Sequence, residues 1–146
     1  MKRYLIDGDS IEFRPDAGWN FDGFDGRVAV KAEARCLLVG GRPIVVAEDL
    51  VACASEILQK AYKAQGFDKV PGAIIRAEVS VDEQSLCELL TCDGKKAATE
   101  ATEGTFSITC RPSLSGSSPP LPDPGALRRT GKWSVAKTFQ NFFDRR

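Results

Sequence analysis

A small, mainly β protein with one helix is the fold class this 146-residue chain predicts, with an α+β arrangement as the variant. Three observations predict it. Apolar residues recur with period two in short stretches, most cleanly in Thr105-Phe106-Ser107-Ile108-Thr109-Cys110. Clusters of Gly, Pro, Asp and Asn separate those stretches, as in a small antiparallel β-sandwich or barrel. Helical spacing is confined to residues 47–64. The length suits a single domain, 1–146, which buries roughly 68–70% of the surface its unfolded form exposes.

The elements follow in order. Residues 3–13 read as an opening strand or strand pair, with Tyr4, Ile6, Ile11 and Phe13 apolar and Asp7-Gly8-Asp9 turning between them. Residues 14–26 carry loop chemistry, Gly, Pro, Asp and Asn, with Trp19, Phe21 and Phe24 interleaved. From Arg27 the chain alternates. Cys36–Val39 and Pro43–Val46, separated by Gly40-Gly41-Arg42, predict a hairpin. Leu50, Ala54, Ile57, Leu58 and Ala61 then predict one amphipathic helix over 47–64, with acids at its start, bases near its end and Gly66 as its stop.

After Pro71-Gly72, residues 73–79 read as a strand, 85–92 as a short apolar run, and Asp93-Gly94-Lys95 as a turn. Thr105–Cys110 is a strand with Phe106 and Ile108 inward. Residues 112–125, rich in Pro, Ser and Gly, read as an extended surface segment. The remaining stretch, 126–143, is too short to fold alone and must pack back, with Trp133 and Val135 in a closing strand and Phe139, Phe142 and Phe143 on one helical face.

Composition excludes several functions. Twenty Lys and Arg balance twenty Asp and Glu, and the Arg128–Arg129 and Arg145–Arg146 pairs make no phosphate cradle. No nucleic-acid partner is expected, since phosphate neutralisation needs a basic excess. The absence of histidine removes Ser-His-Asp and Cys-His catalysis in their usual forms and the commonest metal ligand. No apolar run reaches a membrane-spanning length, and Met1–Asp7 carries no signal-peptide h-region. Synthesis in a reducing cytoplasm is expected, with five unpaired thiols: Cys36, Cys53, Cys87, Cys92 and Cys110.

The islands Gly8-Asp9-Ser10-Ile11-Glu12-Phe13, Gly41-Arg42-Pro43-Ile44-Val45-Val46-Ala47-Glu48-Asp49, Val70-Pro71-Gly72, Gln84 with Gly94-Lys95, Phe106 to Pro112, Pro119 to Pro124 and Gly131-Lys132-Trp133 fall in a particular order. In that order they resemble a family of PAAR-like proteins associated with bacterial type VI secretion spikes and related contractile injection systems. Ala47 stands where that pattern has glycine. The resemblance implies a β-rich protein that docks on a secretion spike or accompanies an effector, and an export route that needs no signal peptide. The zinc held by histidines and a cysteine in spike tips is not carried over, because this chain has no histidine.

The expected function is therefore non-enzymatic protein binding, with no metal, no cofactor, and a homo-oligomer among the assemblies allowed. A small secreted effector, or an enzyme using carboxylates or a cysteine, is the alternative. The candidate protein-binding residues are Trp19, Phe21, Phe24, Trp133, Phe139, Phe142 and Phe143, since aromatics serve both cores and interface anchors. Cys87 and Cys92 could supply half a zinc site. The acids Asp7, Asp9, Glu12, Asp16, Asp22 and Asp25 could ligate calcium, though turn formation explains them as well.

Overall fold

The computed structural model describes residues 3–33, 38–39, 41–92 and 94–137. Its framework is one curled antiparallel sheet of seven strands that forms a half-barrel. The strands are β1 (Ser10–Pro15), β2 (Trp19–Asp22), β3 (Arg27–Ala29), β6 (Ala61–Ala64), β7 (Phe67–Val81), β10 (Glu103–Arg111) and β11 (Arg129–Lys137). They lie in the order β2-β6-β7-β10-β11-β1-β3. Two short hairpins stand outside this sheet: β4 (Leu38–Val39) with β5 (Arg42–Pro43), and β8 (Thr91–Cys92) with β9 (Lys95–Lys96).

The expected mainly β fold with one helix stands. Thr105–Cys110 lies within β10, and Phe106 and Ile108 point inward. Trp133 and Val135 belong to β11, which sits between β10 and β1 rather than at an edge. Turns form at Asp7-Gly8, at Gly41 and at Gly94.

The helix differs from the expectation. α1 spans only Ala47–Val51, a 3₁₀ stretch covers Ala52–Ile57, and the chain turns at Gln59 with φ 68° into β6. Leu50, Cys53 and Ile57 are buried at spacings of three and four, which is the periodicity the sequence shows. Beyond Ile57 the chain joins strands instead, because Ala61–Ala64 pairs with β2 on one side and β7 on the other. Gly66 accordingly does not stop a helix. It takes φ 82° in the Gln65-Gly66 turn between β6 and β7, a conformation that suits glycine.

Three further expectations are refined. Residues 14–26 contain β2, whose Trp19 is buried and whose edge is ordered by β6. The 73–79 strand extends to Phe67–Val81 and includes Pro71. Proline is tolerated there because pairing with β10 begins only at Ala73, and the β6 register is irregular between Tyr62 and Ala64. Residues 112–125 are exposed mainly from Gly116 to Pro122; Ser113 and Asp123 at the ends are buried.

The core fills the inside of the curl. Phe13 and Phe106 meet edge to face at 5.0 Å, and Trp19 reaches Phe106 at 6.0 Å and Tyr62 at 6.1 Å. Leu50 and Ile57 close one side. A smaller cluster of Ile44, Val46 and Ala97 lies beside it, tied in by the bridges Ile6 to Ile44 and Val46 to Ala97. Gly104 is fixed by close approach: a Cβ there would collide with the Ser80 carbonyl and the Trp133 indole.

Candidate functional site

Each strand of the half-barrel presents alternate residues to the core, so the others define an outer face. On β7, β10, β11 and β1 the register fixes which outward residues stand side by side. The first row is Asp82, Glu103, Ser134 and Glu12. The second is Ser80, Thr105, Lys132 and Arg14. The third is Glu78, Ser107 and Thr130, continued by Asp16, whose N–H donates to the Thr130 carbonyl at 3.1 Å. The fourth is Arg76 and Thr109, with Arg128 beside them just before β11. The face is therefore banded: acid, base, acid, base.

Thr105, Ser107 and Thr109 are short, so the middle strand forms the floor of a trough whose walls are longer side chains. A cavity of about 460 Å³ opens over Gly104, Trp133 and Lys132, between Arg14 and Asp82. A second of about 330 Å³ continues over Thr105, Ser107 and Thr130. At the far end Leu127 stands 84% exposed beside Arg76 and Thr109. Arg14 pairs with Glu12 at 3.2 Å, and Asp16 accepts from the Thr130 hydroxyl at 2.7 Å. Arg76, Glu78, Arg128 and Lys132 form no ion pair or side-chain hydrogen bond among the described residues.

A second polar constellation is buried. Asp123, 3% exposed, accepts from the Tyr62 hydroxyl at 2.9 Å and from the Gly125 N–H at 2.9 Å. Arg129 adds a bidentate contact through its terminal nitrogen and through Nε at 3.4 Å. The Tyr62 oxygen in turn accepts from the Ser113 N–H at 3.2 Å. Burial raises the Asp123 carboxyl, but the bonds from Arg129, Gly125 and Tyr62 outweigh it and hold the group below the usual aspartate value. Burial pushes the Tyr62 hydroxyl and the Cys110 thiol up to about 12. Every polar atom named here is spoken for within the chain, so the cluster clasps residues 113–125 to the sheet.

The sequence-predicted aromatics divide. Trp133 is 1% exposed and Trp19 is buried; each indole N–H donates to a backbone carbonyl, Ser80 and Thr130 respectively, at 2.9 Å. Phe21 and Phe24 are half-buried, stacked edge to face at 5.0 Å, with the Lys60 ammonium 4.9 Å from the Phe24 ring. The structure brings Trp19, Phe21 and Phe24 together, and places Trp133 across the core. Phe139, Phe142 and Phe143 lie outside the described residues.

Cys53 and Cys110 are buried, and Cys87 lies within reach of the Tyr4 hydroxyl at 3.8 Å. Burial pushes the Cys53 thiol up to about 12. Among the described residues no three Cys, Asp or Glu side chains converge as metal ligands would. Asp9 and Asp49 instead accept from the Ile6 and Val46 N–H groups at 2.9 and 3.0 Å, holding local turns. No described helix is long and apolar enough to cross a membrane.

Sequence reasoning missed the banded face and the Asp123 clasp. The outward half of β10 is the complement of its apolar alternation and was readable; which strands flank it was not. Compared with known proteins, the chain matches no family model and no curated protein.

Proposed function

We propose that this chain is a non-enzymatic, protein-binding component of a larger assembly. The observation that carries the reading is the banded outer face. A four-strand surface holds Arg76, Glu78, Arg128 and Lys132 in fixed register, with no ion pair or side-chain hydrogen bond to any of them among the described residues. Side chains of both signs in alternate rows suit a protein surface of matching pattern, whereas a polyanion would be repelled by every second row. Leu127, exposed at the end of the trough, supplies an apolar anchor of the kind interfaces bury.

The order of the sequence islands supports a type VI secretion spike, or a related contractile injection system, as the assembly. Within the alternative of a cysteine enzyme, Cys53 and Cys110 are poor candidates, because burial raises both thiols to about 12 and leaves little thiolate. The test mixes the purified chain with the spike protein of the same organism and measures binding by calorimetry and co-elution. A stoichiometric complex with a dissociation constant of about 10 µM or tighter is expected. No heat and no co-elution at about 100 µM of each protein would remove the spike from the reading.

A further inference from the structure

The bands of the outer face have a symmetry that names a partner. The row Val79–Phe106–Gly131–Pro15 crosses the four strands at their middle, with the side chains of Val79 and Phe106 turned to the core. Two acidic-or-polar and two basic-or-polar rows lie on the outer side, disposed evenly about it. Turning one copy over onto another about a two-fold axis along that row places the second row on the partner's third, and the first on the partner's fourth. Each strand then faces the same strand of the other copy.

The positions that meet are fixed by the register alone. Arg76 faces Asp82 of the other copy, and Arg14 faces Asp16. Lys132 faces Thr130, Glu78 faces Ser80, and Glu103 faces Thr109. Thr105 faces Ser107 across the floor, where short side chains allow close approach. Nowhere in this set do like charges meet. The Leu127 end of the trough falls over the 460 Å³ cavity above Gly104 and Trp133, so an exposed apolar knob and an open hollow are exchanged twice.

We infer that the outer face of β7, β10, β11 and β1 binds the same face of a second copy of this chain, making an isologous dimer about that row. The inference rests on the reading of this face as a protein-docking surface and specifies its occupant. Isologous pairing requires a surface complementary to itself under a two-fold rotation, and alternating bands related by a central row satisfy that requirement. A different protein would need complementarity to the bands but gives no reason for their balance about the row. Because the face is the convex side of the curl, the two copies approach to about 10 Å only at β10 and β11, and the long side chains of β7 and β1 span the wider gap at the flanks, with rows about 7 Å from each other along the strands. Four strands by four rows is a small interface, and a dissociation constant of about 1–100 µM is expected.

Sedimentation of the full chain from about 5 to 500 µM at low salt tests this. A monomer–dimer equilibrium in the stated range is expected, weakening when salt is raised, because the pairs are charged and rim-accessible. Arg76→Asp and Asp82→Arg should each weaken the dimer about tenfold or more, since each sets like charges opposite one another. The double variant R76D/D82R restores opposite signs at both sites and should recover to within about threefold of the parent. Leu127→Asp, at a surface position, should also weaken association about tenfold while circular dichroism stays unchanged. A chain monomeric throughout, a dimer indifferent to R76D, or a double variant no better than its parents overturns the proposal. A monomer that still binds the spike protein overturns the dimer alone; a dimer with this mutational pattern that ignores the spike overturns only the spike.

Discussion

Asp123 and Glu78 are both carboxylates placed by the same half-barrel, and they are treated in opposite ways. Asp123 is buried and takes hydrogen bonds from Tyr62, Gly125 and Arg129. Glu78 stands on the outer face and meets no partner among the described residues. Inside the fold an unbonded charge costs several kcal/mol, so each buried group is matched. Outside, water satisfies the charge, and its position is free to be set by what approaches. Bonding within the chain locks the buried carboxylate in place, whereas Glu78 stays available to whatever approaches the outer face.

The largest effect should come from breaking the buried side of this contrast. Asp123→Ala leaves the Arg129 guanidinium and the Tyr62 hydroxyl without their acceptor and should cost about 3–5 kcal/mol, read by urea unfolding. A loss under 1 kcal/mol would mean that water enters the cluster. The same carboxyl predicts an acid limb. Its value is lower folded than unfolded, so its contribution is complete above the unfolded-state value of about 3.9 and is lost as pH falls through the folded one. Asp123→Asn should flatten that limb; an unchanged pH profile would assign acid unfolding to other carboxylates.

Tyr62→Phe is the intermediate case. It removes the donor to Asp123 and the acceptor for the Ser113 N–H, and should cost about 1–3 kcal/mol. The smallest effect should be on the outer face, where Glu78→Gln should change monomer stability by under about 0.5 kcal/mol. A cost above 1 kcal/mol there would erase the distinction between the two carboxylates.

The strands were legible where local pattern and tertiary need agree. Phe106, Ile108 and Cys110 alternate in the sequence and alternate in burial. Residues 47–64 read as one helix because Leu50, Cys53 and Ile57 carry helical spacing, whereas Ala61-Tyr62-Lys63-Ala64 has little strand character of its own. Its strand state is imposed by β2 and β7, which local periodicity cannot reveal. Asp123 lies in a Pro/Ser-rich stretch that reads as surface, and only its distant partners Tyr62 and Arg129 make it internal. The outer face was half legible: the polar positions of β10 follow from its apolar ones, but the banding depends on register among four strands.

The sheet order also sets a timetable for synthesis. β1 is made early, but its neighbour β11 lies more than a hundred residues later. At about 5–20 residues per second, β1 waits roughly 5–20 s with only β3 beside it, Ile11 and Phe13 lacking their eventual cover. Meanwhile β2, β6, β7 and β10 can already pair as a half-sheet. A ribosome that stalls beyond Arg111 would hold two unfinished pieces with facing open edges, and only translation of 129–137 welds them.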